Sequence, residues 1–174
     1  MNKNYTVKEK DHELYGKTLY TGRYCSTNYF LFCIVGKECY VLATKRGKGA
    51  PNKQDKWCVP CGYLEDDESG EQGALRELYE ETGIDMRDAE RNVFLGSVKT
   101  NPKYCNNDNV QLNYYSIITN DELPNVSYRF DGNEVIEIEW VNIESISKDR
   151  KWCFGHDNDA VYIYYGKVKQ FISL

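Results

Sequence analysis

Residues 62–84 read GYLEDDESGEQGALRELYEETGI, and no other stretch constrains the chain as much. Ser69 with Gln72 three residues later has the form of a capping box, whose serine oxygen and glutamine amide satisfy N–H groups that a helix start leaves without partners. Gly83 follows Thr82 where a left-handed C-terminal cap belongs, a conformation glycine adopts without a Cβ penalty. The spacing therefore predicts a helix of about three to four turns, led in by a glycine-containing loop and stopped by a glycine. Leu75, Leu78, Tyr79 and Thr82 fall on one side of it. Glu77, Glu80 and Glu81, at i, i+3 and i+4, share the opposite side within about 100° of arc.

Three carboxylates that close repel, by about 0.2–0.5 kcal/mol per exposed pair, and alone they would read as a solvated acidic face. Their company argues otherwise: Gly62 and Glu68 stand upstream, and Arg76 heads the cluster. An all-oxygen pocket with several carboxylates suits a hard divalent cation, Mg²⁺ or Mn²⁺, which keeps waters and shares substrate phosphates. The chemistry expected is metal-dependent work on phosphates.

Written as G-x5-E-x7-R-E-L-x-E-E-x-G-I, residues 62–84 resemble the signature of the Nudix hydrolases at every defining position. The resemblance implies an α/β (α+β) fold in one domain, a mixed β-sheet sandwiched between helices, spanning residues 25–174 after an N-terminal lead-in. It implies divalent-metal-dependent hydrolysis of a nucleoside diphosphate linked to another group. Glu77, Glu80 and Glu81 would carry the metal and the Gly62 carbonyl would add a ligand. Arg76 with Glu68 would hold helix and loop in register. One departure precedes the signature: WCVPCG places Cys61 where the family often has the first glycine of a Pro-Gly-Gly step, which implies an ordinary backbone dihedral there.

Composition fits this reading. A chain of 174 residues suits one core. The formal net charge of −5 argues against stable nucleic-acid binding, which needs a basic footprint. The longest apolar run, Tyr29–Val35, is far short of the ~20 residues of a membrane span, and the N-terminus carries no apolar segment of the signal-peptide kind. Seven cysteines, an odd number spread through strand-like segments, suit free thiols in a reducing cytoplasm. Cys58 and Cys61 form a Cys-x-x-Cys. No helix is expected to start at once after it, as a redox site of the thioredoxin kind requires. A structural zinc site needs four ligands, and no second Cys-x-x-Cys or His pair is found. Both thiols are therefore expected to fill strands.

Along the chain, a short strand is expected around Thr18–Tyr24. Strands follow at Tyr29–Val35 and Cys39–Thr44, joined by Gly36-Lys37-Glu38, and then at Trp57–Val59, Val93–Lys99, Val110–Thr119 and Val135–Val141. A short helix is expected near Ile143–Ser147, and a final helix over residues 158–171.

Glu77 is the general-base candidate within residues 62–84. The family also places the base on a later loop, where Glu134 or Glu137 could serve. Lys45, Arg46 and Lys48 end a strand and are candidates for phosphate, or else a solvated basic loop. Tyr114, Tyr104, Tyr115 and Tyr128 are candidates to stack on a nucleobase, with core packing the commoner fate of such rings. His156 could touch phosphate, or else be a surface or capping histidine. Pro102 and Tyr104 lie where substrate markers occur in the family, without a spacing match. The expected substrate is a small-molecule nucleotide, a nucleoside diphosphate linked to a sugar or a second nucleoside, with a nucleoside triphosphate as the alternative. A non-catalytic nucleotide sensor and a thiol redox protein are the readings from other classes. A homodimer is one expected assembly state.

Overall fold

The segment Cys25–Val35 carries two interleaved sets of apolar side chains, and both are buried. Side chains alternate between the faces of a strand, so a sheet built on this one must be covered on both sides. A computed structural model describes residues 3–6, 18–21, 25–88, 93–99, 110–127, 133–148 and 150–172. Its strands are β1 Lys3–Thr6, β2 Thr18–Thr21, β3 Cys25–Val35, β4 Glu38–Arg46, β5 Trp57–Cys58, β6 Cys61–Tyr63, β7 Val93–Lys99, β8 Val110–Thr119 and β9 Val135–Asn142; its α-helices are α1 Gly70–Thr82 and α2 His156–Ile163.

Tyr29, Leu31 and Cys33 pack with Ala74, Leu75 and Leu78 of α1, while Phe30, Phe32 and Ile34 pack with Ala160 and Ile163 of α2 and with Tyr164 and Val168 beyond it. Full burial of one such side chain contributes about 1.5–3 kcal/mol. The two apolar clusters therefore hold one helix on each face of the sheet. This is the expected mixed sheet between helices.

The cleft follows from how β3 and β4 part. Their hairpin pairs Phe32–Val35 with Glu38–Val41 only. Farther from the turn, β3 pairs through Ser26–Asn28 with β6, and β4 pairs through Thr44 and Lys45 with β5. A wedge opens between the diverging strands, and residues 57–63 fill its floor. On its outer edges β3 runs parallel to β8 from Cys25↔Val110 to Ile34↔Thr119, and β4 runs antiparallel to β9 with a bulge between Lys45 and Arg46. The central order is β5-β4-β3-β8-β7. A separate two-stranded sheet pairs β1 with β2.

Most expected strands and α1 appear where the patterns put them. Four details differ. Lys3–Thr6 forms a strand against Thr18–Thr21 that the sequence patterns do not announce. Cys61–Tyr63 forms a strand that its own composition does not announce, because the exposed edge of β3 recruits it; strand formation depends on such neighbours more than on propensity. The short helix after β9 is a single 3-10 turn, Ile143–Ser145. The final helix starts two residues early, at His156. It then widens into a π-type turn over Tyr164–Val168, where both end residues are buried, before a 3-10 turn at Lys169–Phe171. No helix among the described residues is long and apolar enough to cross a membrane.

Candidate active site

Helix α1 begins as the sequence predicts. Ser69 is extended at the N-cap, its Oγ accepts from the Gln72 N–H at 3.2 Å, and Gln72 Oε1 accepts from the Ser69 N–H at 2.8 Å. At the other end Gly83 takes φ 74° and its N–H donates to the Tyr79 carbonyl. Both caps fix where the helix starts and stops, and so which way its acidic ridge points.

Arg76 organises that ridge. Its Nε and one terminal nitrogen donate to both oxygens of Glu68, at 3.0 and 2.7 Å, and the same terminal nitrogen reaches the Tyr63 carbonyl at 3.0 Å. The other terminal nitrogen donates to Glu77 Oε1 at 2.8 Å and Glu80 Oε2 at 2.9 Å. A planar guanidinium suits this forked role; an ammonium does not. Glu68 in turn accepts from the Glu65 N–H at 2.9 Å, so the loop closes on itself before meeting the helix. The hydrogen bond from Arg76 holds the Glu68 carboxyl below the usual range.

Gly62 lies directly against Glu77. A Cβ at Gly62 would fall 2.0 Å from Glu77 Oε1, so only glycine lets the β6 backbone approach the carboxylate. Cys61 beside it takes the ordinary strand conformation of β6. Glu81 lies farther in, where Thr44 Oγ1 donates to its Oε2 at 3.1 Å. Burial raises the Glu77 carboxyl to about 7, against the pull of Arg76 and with the help of Glu80 and Glu134. Burial likewise pushes Glu81 well above the carboxylate range, reinforced by the charges of Cys58 and Glu77. Two desolvated acids, each raised in part by the charge of a neighbouring carboxylate, make a site short of positive charge. Arg76 occupies one oxygen of Glu77 and one of Glu80, leaving each a second oxygen. The donor set of Glu77, Glu80, Glu81 and the neighbouring Gly62 carbonyl is all oxygen, which fits Mg²⁺ or Mn²⁺.

The ridge forms one wall of a cavity of about 760 Å³ that also takes in Ser26, Asn28, Arg46, Gln111, Glu134 and Phe154. Of the residues singled out from the sequence, Gly62, Arg76, Glu77, Glu80, Glu81, Arg46 and Glu134 meet in this cavity, and Glu68 braces it through Arg76. Lys45 and Glu137 do not: they are register partners on β4 and β9, and their side chains form an exposed ion pair at 2.5 Å outside the cavity wall. Lys48 is exposed in the following loop. Tyr114 is buried in the α1-side cluster, 5.1 Å from the Phe94 ring, and Tyr115 is buried in the other. His156 is neither a surface residue nor a phosphate contact, being fully buried beside Phe30 and Phe154. Pro102, Tyr104, Cys105 and Tyr128 lie outside the described residues.

Sequence reasoning missed Asn28, Gln111 and Phe154. Asn28 donates to Asn113 Oδ1 at 2.7 Å across the β3–β8 pair, and Phe154 lies under the Arg46 guanidinium at 5.4 Å. A polar Ser26-Thr27-Asn28 start to an otherwise apolar strand was the available signal for the first. No local pattern marked the others.

A mixed sheet between two helices, with an arginine-braced carboxylate ridge facing an open cleft, is the architecture of a hydrolase acting on phosphoanhydrides. The chain belongs to the Nudix family of pyrophosphohydrolases: the family model described as the NUDIX domain matches residues 28–159. A search of the curated proteins found no match. Among solved structures it is similar to the NUDIX domain of Shewanella oneidensis NrtR complexed with ADP ribose, at 18% identity and TM-score 0.70, covering 85% of this chain and 90% of that one. A MutT/nudix family protein from Enterococcus faecalis is similar at 19% identity and TM-score 0.70, covering 89% and 69%. A bifunctional NMN adenylyltransferase/ADP ribose pyrophosphatase from Francisella tularensis, complexed with AMP and a Mn ion, is similar at 18% identity and TM-score 0.66; the alignment covers 83% of this chain and 42% of that one. At such identities these likenesses speak for the fold.

Proposed function

We propose that the protein hydrolyses the pyrophosphate bond of a nucleoside diphosphate linked to a sugar or a second nucleoside, with Mg²⁺ or Mn²⁺ bound at Glu77, Glu80, Glu81 and the Gly62 carbonyl. The observation that carries this is the acidic ridge of α1, which faces the cavity and is intact at each ligand position. When bound, the divalent cation would screen the diphosphate charge and ease ionisation of the attacking water.

The chain's own residues supply the rest. Glu134 is exposed, lines the cavity and lies within electrostatic reach of Glu77, and it is the general base we favour, since Glu137 is turned to Lys45. Arg76 positions Glu77 and Glu80 and does not touch substrate. Arg46, its guanidinium over the Phe154 ring, lines the same cavity and is the cation we assign to a phosphate or a base of the substrate. A volume of about 760 Å³ lies in the range that encloses a ligand of drug size or larger, which suits a two-part substrate. The Shewanella neighbour is complexed with ADP ribose and the Francisella one is described as an ADP ribose pyrophosphatase, and a nucleoside diphosphate sugar is the same chemical class.

The test is a panel of nucleoside diphosphate sugars, dinucleoside polyphosphates and nucleoside triphosphates with Mg²⁺ and Mn²⁺, products resolved by chromatography. Linked diphosphates should be cleaved to a nucleoside monophosphate and a phosphorylated partner. Turnover of triphosphates alone would overturn the substrate reading. Ligand-induced thermal stabilisation with no turnover of any member would make the domain a sensor.

A further inference from the structure

The Cys-x-x-Cys at Cys58 and Cys61 has a counterpart 92 residues on: Cys153-Phe154-Gly155-His156 is a Cys-x-x-His. A search for a second Cys-x-x-Cys or a His pair passes over it. The fold brings the two together. Trp57 and Trp152 form a parallel bridge, with the Trp57 N–H donating to the Lys151 carbonyl and the Cys153 N–H to the Trp57 carbonyl, each at 2.9 Å. As a result one ligand atom from each of Cys58, Cys61 and His156 lies within 4.8 Å of the others. The Cys153 thiol lies outside that group of three but within electrostatic reach of Cys58, and it donates to the Trp57 carbonyl at 3.3 Å.

We infer that Cys58, Cys61, Cys153 and His156 form a structural site for a thiophilic divalent cation, Zn²⁺ above all, distinct from the carboxylate site. Two thiolates about 2.3 Å from a tetrahedral zinc stand about 3.8 Å apart. Cys58 Sγ and Cys61 Sγ stand 3.9 Å apart, close to that separation. The second observation is His156. It is fully buried, and one of its ring nitrogens groups with the Cys58 and Cys61 sulfurs. Its Nδ1 accepts from the Val59 N–H at 3.2 Å, which is a long bond. A metal held by Nδ1 would take that lone pair in place of the Val59 N–H.

Three thiolates, one imidazole and Zn²⁺ sum to one negative charge, and Arg46 lies within electrostatic reach of all three sulfurs. The set is soft and closed, as a structural zinc site requires, whereas the oxygen ridge of α1 suits a hard cation. The link between them is short. Thr44 Oγ1 touches both Cys58 Sγ, at 3.5 Å, and Glu81 Oε2, and Cys61 immediately precedes Gly62. A metal here would pin the floor of the cleft to the start of α2, and with it the β6 strand that carries Gly62.

The test uses the full chain, expressed with zinc and purified without chelator, its metal content measured by mass spectrometry. About one zinc per chain is expected, unchanged in Glu80→Gln and at least fivefold lower in Cys61→Ser and His156→Asn. Titration of metal-free wild type with Co²⁺ needs no variant and should give thiolate-to-cobalt charge-transfer absorption with one equivalent bound. Neither readout depends on turnover, so failure here is separable from failure of the hydrolase reading. Less than about a tenth of an equivalent of zinc with no cobalt thiolate band, zinc held equally by the Cys61 and His156 variants, or a Cys58–Cys61 disulfide in metal-free protein that rejects zinc after reduction, would each overturn the proposal.

Discussion

Gly62 and Glu77 are in contact so close that a single methyl group cannot be placed between them, a Cβ at Gly62 falling 2.0 Å from the carboxylate oxygen. Gly62→Ala should therefore shift the loop or evict Glu77 from its place. Loss of positioning at this scale predicts a fall in kcat/KM of about 10²-fold or more, with stability reduced by only about 1–3 kcal/mol. Steady-state kinetics beside thermal unfolding checks it; wild-type activity would mean that the loop carbonyl is dispensable.

The two late-loop glutamates part company in the structure. Glu134 lines the cavity and Glu137 is engaged by Lys45. Glu134→Gln should lower kcat by about 10²–10⁴-fold, the usual worth of a general base, while Glu137→Gln stays within about threefold. Equal losses would move the base elsewhere, to Glu77 first.

Arg76 makes five hydrogen bonds, to Glu68, Glu77, Glu80 and the Tyr63 carbonyl. Lysine keeps the charge but not the fork. With Arg76 partly solvent-screened, Arg76→Lys should destabilise by about 1–2 kcal/mol and lower kcat more than it raises KM. Urea unfolding and kinetics on the same preparation separate the two effects.

The Glu77 carboxyl gives the metal-free protein a pH dependence of definite sign. Folding raises it from 4.5 to about 7, so between those values the folded chain holds a proton that the unfolded chain has lost. Its stabilising contribution is complete below about pH 4.5 and is lost as pH rises through about 7. Glu81 acts in the same direction. Without metal, Tm should fall between about pH 5 and 8, by the equivalent of about 3 kcal/mol for Glu77, and saturating Mg²⁺ should flatten the slope. Glu77→Gln should reduce the slope without Mg²⁺, leaving the part that Glu81 contributes. An unchanged slope in that variant would show that Glu77 is not the group responsible.

Local patterns carried the fold where local physics decides it. The Ser69–Gln72 box and Gly83 cap specified α1 to within a residue, while the helix on each face of the sheet was implied by the family resemblance. The carboxylate ridge was legible for the same reason, since helical spacing alone puts Glu77, Glu80 and Glu81 together. Placement of Lys45 against Arg46 was not legible. Adjacent residues on β4 point apart, and which faces the cleft depends on the bulge against β9 and the parting of β3 from β4. Phe154 and His156 were hidden for another reason: their neighbours lie some hundred residues away, through the Trp57–Trp152 bridge.

Anomalous scattering from a crystal soaked in millimolar Mn²⁺ tests the central claim most directly. A manganese peak is predicted about 2.0–2.3 Å from carboxylate oxygens of Glu77, Glu80 or Glu81, absent from Glu80→Gln/Glu81→Gln crystals. No peak along that ridge in a protein that cleaves nucleoside diphosphates, or an undiminished peak in the double variant, would contradict the account.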